Sequence, residues 1–325
     1  MFQDFLASIP ESVLDEVQDL NLDIESENCN KAIEELLQQS VLVGGKRLRP
    51  LLTYLMGNLF QVSASELSPF AKAIELVHAA SLAHDDVVDD ASTRRGEPSI
   101  NALASNQKAV LAGDYLLADV IYTLAHKGDL TIVQNMSLVI QALAEGEWIQ
   151  LDASGSKKYT RELIKTIAMK KTASVMGWCC WVGAYKAQKG SELERDAKTF
   201  GEKVGVAFQL MDDTLDFSKD SKKDSLLDVQ NGIINSVLFE WLESHPEAKA
   251  KFEAGESMAQ VFDSSDIAES CTIVENRALD LLREARELLD SMKEKLDLDE
   301  AGSAHYEQAK LPLLKILEYL AKRKF

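Results

Sequence analysis

Residues 274–292, VENRALDLLREARELLDSM, carry the clearest structural signal in this sequence. Their apolar positions recur at spacings of three and four, with acids and bases between them; these positions are Val274, Ala278, Leu281, Leu282, Ala285, Leu288, Leu289 and Met292. Such a period places the apolar side chains on one face of an α-helix. The stretch therefore predicts a long amphipathic helix near the C-terminus.

Proline usage extends this prediction to the rest of the chain. Prolines occur only at positions 10, 50, 69, 98, 246 and 312, so none lies between Ser99 and His245. A proline-free stretch rich in Ala, Leu, Lys and Glu favours helices over strands. The sequence also lacks strand alternation of useful length and hairpin-type turns between apolar runs. We predict an all-α fold.

Glycine, serine and proline clusters mark the expected breaks between helices. The breaks fall at Gly44–Gly45, Arg95–Pro98, Ser154–Ser156, Ser218–Ser225 and Asp297–Ser303. None of them is long enough to be a linker between independent domains. We therefore predict a single domain of many helices over residues 1–325.

The charge balance excludes several classes of partner. The 325 residues include 35 Lys and Arg and 53 Asp and Glu, which gives a net charge of −18. A broad nucleic-acid surface and docking on an anionic membrane both need clustered basic side chains. A protein this acidic that handles a polyanion must therefore gather positive charge locally or take it from metal ions.

The cysteines and the N-terminus bear on the cellular compartment. The four cysteines form no CxxC pair, and Cys179 and Cys180 lie in an apolar run, which favours free thiols over a zinc site. The N-terminus lacks a basic region followed by an apolar stretch, so no secretory signal is expected. The longest apolar run, Val175–Ala187, is too short to span a bilayer. These features predict a cytoplasmic protein without a membrane segment.

Two similar aspartate clusters follow apolar helical runs. The first is Asp85-Asp86-Val-Val-Asp89-Asp90, and the second is Asp212-Asp213-Thr-Leu-Asp216. Residues at i and i+4 share a helix face, so each cluster stacks two carboxylates. At 4 Å and an effective dielectric of 20, two such charges repel by about 4 kcal/mol. Solvated helix ends are the ordinary explanation for one cluster, but two of them predict bound cations, with Mg2+ as the hard cation that also takes phosphate oxygens.

Positive charge is concentrated on either side of the first cluster. Lys46, Arg47 and Arg49 follow a Gly pair and precede Pro50, and Arg94-Arg95-Gly96 follows the aspartates within a few residues. Arg and Lys side chains are the usual partners of a diphosphate. In a chain with a charge of −18, these two Gly-flanked groups indicate a diphosphate site.

At these residues the sequence resembles the trans-polyprenyl diphosphate synthase family, which includes farnesyl, geranylgeranyl and longer-chain synthases. The similarity runs roughly from Val41 to Asn235. Its motifs are GGKRLRP at 44–50, ELVHAASLAHDDVVDDASTRRGEPSIN at 75–101, LAGDYLLA at 111–118, KKTA at 170–173 and FQLMDDTLD at 208–216.

The resemblance implies an all-α bundle around a central cavity, usually a homodimer, that condenses isopentenyl diphosphate with an allylic diphosphate. It implies a role for each matching residue. Mg2+ would be held by Asp85, Asp86, Asp89, Asp212, Asp213 and Asp216. The allylic diphosphate would be held by Arg94, Lys171 and Lys223, and isopentenyl diphosphate by Lys46, Arg49, His78 and Arg95. Thr172 and Gln209 would direct oxygen dipoles at the developing allylic cation.

Some of these residues would be unremarkable without the motifs. Taken alone, His78 fits a satisfied core histidine, and Gln209 fits an ordinary polar residue near a helix end. The pattern also departs from the family at one point. Where the family usually carries a second lysine after the second cluster, in a Gly-Lys-x-Thr-Leu-Pro run, this chain has Ile233. The departure removes one charge-assisted contact, worth about 1.5–3 kcal/mol, and puts full activity in doubt.

Two other functions therefore stay open. One is a non-catalytic partner subunit of a prenyl synthase, motivated by Ile233. The other is a class I terpene cyclase, which carries an Asn/Asp-x-x-Ser/Thr-x-x-x-Glu metal motif. Ser236 and Glu240 have that spacing, but Gly232 occupies the first ligand position.

The length of the product can be predicted for the synthase. Ala80 and Ser81 lie one helical turn before Asp85 and are small. Small side chains there leave a deep apolar tunnel, so we expect a product longer than farnesyl. The floor of that tunnel is expected at Ile121, Tyr122 or Leu124.

Overall fold

The structure is a computed structural model, and it describes residues 5, 7–24, 30–94, 96–217, 229 and 233–322. It consists of two compact units. The N-terminal unit comprises Ile9–Ile140 and Trp178–Lys189, and the C-terminal unit comprises Met1–Ser8, Gln141–Gly177 and Gly190–Phe325.

Almost all regular structure in the described residues is helical, which confirms the predicted fold class. The helices are α1 (Glu11–Gln18), α2 (Lys31–Gln38), α3 (Leu48–Leu59), α4 (Ala64–Val88), α5 (Ile100–Leu103), α6 (Asn106–His126), α7 (Leu130–Ser156), α8 (Arg161–Ala168), α9 (Ser174–Lys186), α10 (Ser191–Leu215), α11 (Ser236–Ser244), α12 (Pro246–Glu253), α13 (Met258–Val261), α14 (Ile267–Glu294) and α15 (Glu300–Ala321). A π-helical turn at Met169–Ala173 joins α8 to α9, and a 3-10 turn at Ser264–Asp266 precedes α14. Strands β1 (Thr93–Arg94) and β2 (Glu97–Pro98) form a short antiparallel hairpin.

Helix α4 is the centre of the N-terminal unit, where α1, α3, α5 and α6 all pack against it. The side chain of Ser63 caps its first turn by accepting a hydrogen bond from the backbone N–H of Glu66. The helix is buried on opposite sides, because Ile74 and Leu76 are two residues apart and both are at most 2% exposed. A Cβ atom on Gly183 of α9 would lie 2.7 Å from the backbone nitrogen of Gly57, so α3 and this part of α9 are in backbone contact.

Helices α10 and α14 form the main pair of the C-terminal unit, and α11 and α15 pack on α14. The predicted amphipathic helix at residues 274–292 is confirmed as part of α14. Six of its eight apolar positions are buried, whereas Leu281 and Leu288 are half-buried at the edge of the stripe. A 100°-wide apolar face of this kind has a buried centre and partly exposed margins.

Most of the predicted breaks coincide with the ends of helices. Gly44 and Gly45 precede α3, and the Arg95–Pro98 break contains the turn of the hairpin. The expected break around Ser154–Ser156 falls at the end of α7, which ends at Ser156, and the chain turns at Lys157, whose φ is 54°. A Cβ atom at Gly155 would meet nothing within 4 Å, so this glycine opens no close contact and the helix passes through it. Residues 218–225 lie outside the described residues.

Two further expectations concern thiols and membranes. Within the described residues Cys179, Cys180 and Cys271 are free, and burial raises the pKa of the Cys179 thiol to about 12. Across the same residues, every helix is too short or too polar to serve as a membrane span.

Candidate functional site

The first aspartate cluster occupies the C-terminal end of α4. Asp85 and Asp86 lie in the last turn, and Asp89 is the C-cap residue. Asp86 is fully buried, Asp85 is half-buried, and Asp89 is exposed. The negative end of the helix dipole lies here, and the last turn contains no basic residue to offset it. The carboxylates therefore lie at the end of the helix where negative charge is unfavourable.

Asp86 is held by groups that follow it in the chain. The Arg94 side chain donates from Nε at 2.7 Å and lies within 2.6 Å through Nη2, both to Oδ1 of Asp86. The backbone N–H of Ile100 donates to Oδ2 at 3.4 Å, and the Asn101 side chain donates to the backbone carbonyl of Asp86 at 3.1 Å. The hairpin and α5 are thereby fixed to the end of α4. The charge of Asp86 is balanced inside the protein by Arg94, whereas Asp85 and Asp89 lie nearer to solvent.

The other cations predicted in the N-terminal unit lie on α3, α4 and the loop before α3. Lys46 is exposed, and Arg49 and His78 are half-buried. Gly44 and Gly45 have φ values of 75° and 90°, and Arg47 caps α3 with φ of 49°. The Gly pair adopts this left-handed backbone without steric cost, which turns the loop sharply into the helix. Arg95 lies outside the described residues.

The second cluster ends α10 in the same way. Asp213 is buried, Asp212 is half-buried, and Asp216 is the C-cap residue. The Gln209 side-chain amide donates to Oδ1 of Asp213 at 2.9 Å, and the backbone N–H of Ser236 donates to Oδ2 at 2.9 Å. Asp216 accepts a 3.4 Å hydrogen bond from the Asn235 side chain. Again the middle aspartate is satisfied by the protein itself.

The π-helical turn brings Thr172 to Gln209. The Thr172 hydroxyl donates to Oε1 of Gln209 at 2.9 Å, with the amide orientation assigned from this network. Gly205 allows the contact, because a Cβ atom there would lie 2.5 Å from the Cα of Ala173. A single chain of hydrogen bonds therefore runs from Thr172 through Gln209 to Asp213. A π-turn inside a helix often marks a functional site.

Lys171 lies in the same π-turn but faces α7. Its ammonium pairs with Glu147 and donates to the Gln150 side chain at 3.2 Å. Gly146 permits the approach, since a Cβ atom there would lie 2.8 Å from the Lys171 side chain. The neighbouring Lys170 pairs with Glu145, and this hydrogen bond lowers the pKa of Glu145. Glu147 and Gln150 belong to no motif, so their role could not be predicted from the sequence.

The donor set fits magnesium in its chemistry. In each cluster the outer aspartates supply carboxylate oxygens at i and i+4 positions, which are the hard ligands that Mg2+ takes. Among the described residues, no three His, Cys, Asp or Glu side chains form a ready-made ligand set. Mg2+ is usually held by one or two carboxylates together with substrate phosphates and water, so a preformed cage is not required. Lys223, predicted to bind the diphosphate, lies outside the described residues.

The geometry of Glu240 argues against the cyclase alternative. Arg161 donates to both oxygens of Glu240 at 3.0 Å, and Arg277 donates to Oε1 at 2.5 Å. Burial opposes ionisation, but the hydrogen bonds from Arg277 and Arg161 outweigh it, and the pKa of Glu240 is lowered. A carboxylate that is 6% exposed and enclosed by two guanidinium groups is not available as the third metal ligand of a cyclase.

The residues expected to shape the product tunnel are placed as follows. Ala80 is a fully buried residue of α4. Ser81 is half-buried, and its hydroxyl donates a hydrogen bond to the backbone carbonyl of His78 at 2.9 Å. Helix α6 packs along α4. Of the candidate floor residues, Leu124 is 1% exposed, whereas Tyr122 is 60% exposed and lies against the His126 ring. Tyr122 therefore does not close a tunnel inside the N-terminal unit, and Leu124 is the better candidate.

Comparisons with known proteins add to this geometry. A family model described as polyprenyl synthetase matches residues 30–274. The chain is 32% identical over 231 residues to solanesyl-diphosphate synthase 1, mitochondrial, of Oryza sativa subsp. japonica, which covers 65% of this chain and 54% of that protein. It is 31% identical over 207 residues to octaprenyl diphosphate synthase of Escherichia coli (strain K12), which covers 64% of this chain and 62% of that protein. The alignments thus span little more than half the length of these curated relatives.

A solved structure is similar over nearly the whole chain. It is the polyprenyl synthase from Caulobacter crescentus CB15 complexed with calcium and isoprenyl diphosphate. The TM-score is 0.75 at 25% sequence identity, and the alignment covers 99% of this chain and 98% of that one.

Proposed function

Because this chain belongs to the polyprenyl synthetase family, we propose that it condenses isopentenyl diphosphate head to tail with an allylic diphosphate, and that its product is longer than farnesyl. The observation that carries the proposal is the repeated aspartate arrangement. In both clusters the middle aspartate is buried and bonded within the protein, while the outer two occupy the last turn and the C-cap of a helix. Two relatives whose names specify solanesyl and octaprenyl products support the length.

We assign the metal ions to the outer aspartates of both clusters. These are Asp85, Asp89, Asp212 and Asp216, and Asp86 and Asp213 would position them. Mg2+, when bound, neutralises charge that develops on the departing diphosphate. The similar structure that holds calcium and isoprenyl diphosphate supports a divalent cation together with a diphosphate in this fold.

The cations of the chain would bind the two diphosphates. Lys46, Arg49, His78 and Arg95 are assigned to isopentenyl diphosphate, and Arg94, Lys171 and Lys223 to the allylic diphosphate. Arg94 is already oriented by Asp86 and Lys171 by Glu147, so each enters the reaction with its side chain fixed. Fixed charges stabilise a transition state more than mobile ones, because they need not reorganise as charge develops.

Thr172 and Gln209 would stabilise the allylic cation. The Thr172 hydroxyl donates its proton to Gln209, which leaves the oxygen lone pairs of Thr172 available to positive charge. Gln209 is fixed in turn by Asp213. The chain of three side chains therefore holds the oxygen dipoles in place before the substrate ionises.

The proposal extends to the assembly and the compartment. Large apolar side chains of the N-terminal unit are exposed along α6 and the first part of α7; they are Val110, Leu111, Tyr122, Leu130 and Leu138. Such exposure is typical of an interaction surface, and we assign it to a second copy of the chain in a homodimer. Light scattering should then give twice the chain mass of 36.0 kDa. We place this dimer in the cytoplasm, in keeping with the free thiols.

The central test is incorporation of labelled isopentenyl diphosphate by the protein alone, with a mixture of allylic primers and Mg2+. We expect polyprenyl products longer than farnesyl in the mass spectrum. Asp85→Asn should lower the rate by about a hundredfold or more, because it removes a charge that acts on the transition state. Asp90→Asn is the matched control, since Asp90 is an exposed neighbour outside the i and i+4 pair. Cyclised products, or no incorporation at all by the intact protein, would favour the cyclase or the partner subunit.

Product length has its own test. Ser81→Phe and Ala80→Phe should shorten the product, because an aromatic ring one turn before Asp85 fills the path of the growing chain. Leu82→Phe, on the neighbouring position and also half-buried, should leave the distribution unchanged. Products of unaltered length from both test variants would contradict the assignment of the tunnel.

A further inference from the structure

A cavity lies in the C-terminal unit, among α8, α10, α11 and α14. Its volume is about 520 Å³, which is within the range of about 300–1,000 Å³ that ligand pockets occupy. Apolar side chains form most of its wall, among them Ile164, Ala168, Met169, Val206, Leu210 and Leu281. None of the residues assigned to the two diphosphates or to the metal ions lines it. The cavity is therefore distinct from the reaction site.

One end of this cavity is cationic. Arg161 and Arg277 line it and hold Glu240 between them. Arg161 uses two of its five N–H donors on Glu240, and its side chain is 60% exposed. The remaining donors of a guanidinium group lie in the same plane and suit an oxyanion. The two arginines carry one positive charge more than the Glu240 carboxylate between them. Glu243, whose charge also acts on Arg161, is itself paired with Lys249 at 2.5 Å.

Lys165 adds to the positive charge of that end. It lies one turn after Arg161 on α8 and also lines the cavity. Its ion pair with Glu162 spans 4.0 Å, and the Glu162 side chain is 81% exposed, so the pair contributes little to stability. Lys165 is itself 61% exposed, so its ammonium is accessible at the mouth of the cavity.

The carboxylates elsewhere in the lining are engaged by cations. Glu284 pairs with Lys203, Asp280 with Arg283 at 2.7 Å, and Glu202 with Lys198 at 3.6 Å. Each of these carboxylates therefore has a cation of its own beside it. A cavity with an apolar wall and one cationic end, in a chain of net charge −18, is chemically matched to a molecule with an apolar tail and an anionic head.

We infer that this cavity binds an anionic amphiphile, with the tail against Val206, Leu210 and Leu281 and the phosphate or carboxylate head at Arg161 and Lys165. Neither half of such a ligand suffices. An apolar chain alone makes no use of the remaining donors of Arg161, and a free anion leaves the apolar wall in contact with water. The inference does not depend on the proposed reaction.

Calorimetry with monododecyl phosphate, below its micelle concentration, tests this inference. Inorganic phosphate and dodecanol are the comparison ligands, and each should bind at least about tenfold more weakly. Val206→Trp should abolish binding, because the indole fills the apolar wall. Leu279→Trp is the matched control, since Leu279 is an exposed residue of α14 outside the cavity.

The head group is tested separately. Lys165→Glu should weaken binding about fivefold, whereas Lys158→Glu, also exposed but outside the cavity, should not. Lys165 is on the surface, so this variant keeps the test valid if Val206→Trp does not fold by circular dichroism. Undiminished binding in both variants would show that the amphiphile lies elsewhere and would overturn the inference. Binding to anionic vesicles without binding to the monomeric amphiphile would overturn it as well.

Discussion

The two aspartate clusters have the same spacing but different internal partners. Asp86 is fully buried and its charge is balanced by a formal cation, Arg94. Asp213 is buried to a similar degree, and it accepts hydrogen bonds from the Gln209 amide and the Ser236 backbone. The first cluster is thus tied to a hairpin by an ion pair, and the second is tied to α11 and, through Gln209, to Thr172 by hydrogen bonds. The two similar motifs are therefore held by different sets of neighbours.

Neutralising the middle aspartate should give the largest difference in stability between the two clusters. Asp86→Asn keeps the shape but leaves Arg94 without its counter-ion, and we expect a loss of about 3 kcal/mol in the free energy of unfolding. Asp213→Asn should cost less, about 1 kcal/mol, because the side-chain amide of Gln209 can reorient toward a neutral amide. Urea denaturation measures both values. Equal losses in the two variants would remove the distinction between the clusters.

The next prediction contrasts outer with middle aspartates. Mg2+ together with inorganic diphosphate should raise the melting temperature of the protein, since a ligand at a hundred times its Kd stabilises by about 2.7 kcal/mol. Asp89→Asn and Asp216→Asn should lose most of this increase, because they remove metal ligands. Asp213→Asn should keep most of it, because Asp213 is engaged inside the protein. A full response in both outer variants would place the metal elsewhere.

The C-terminal end of α11 carries a histidine where the two clusters carry aspartates, and we expect the smallest effect on stability there. Helix α11 ends at His245, whose Nδ1 contacts the Trp241 carbonyl at 2.7 Å and whose Nε2 contacts Asp266 at 2.8 Å. The backbone hydrogen bond to Trp241, together with Asp266, raises the pKa of His245 above its usual 6.5. When it is protonated, His245 places a cation at the negative end of the helix, where the aspartate clusters have carboxylates.

The pH dependence follows from the direction of that shift. The raised pKa means that His245 contributes stability that is fully present below pH 6.5 and is lost as the pH rises through the folded pKa. The side chain is 32% exposed, so we expect only a few tenths of a kcal/mol after screening. His245→Gln should flatten the stability profile above pH 6.5, as measured by urea midpoints. A variant with the same slope as the wild type would show that another group titrates there.

The sequence was sufficient to predict the fold class and the position of the clusters. Helical period is a local property, so the stripe from Val274 to Met292 and the i and i+4 aspartates could be read directly. The end of α7 could be predicted for a related reason. Gly155 is a weak helix former that costs about 1 kcal/mol in a helix, and the helix ends one residue after it.

The partners of the site residues could not be read in the same way. Asp86 and Arg94 are eight residues apart, Asp213 and Ser236 are 23 apart, and Lys171 and Glu147 are 24 apart. Glu147 and Arg161 belong to no motif, and a carboxylate or guanidinium in a helix is ordinarily a solvated surface group. Only packing reveals that these side chains hold Lys171 and Glu240.

The sequence by itself determined which residues are helical, which of them share a face, and where negative charge accumulates at helix ends, because those properties depend on neighbours within a turn. Tertiary structure alone decided which aspartate of each cluster is buried and which groups satisfy it. Burial and hydrogen bonding depend on segments that are distant in the chain, and the free energy of a buried charge is set by whatever those segments bring to it.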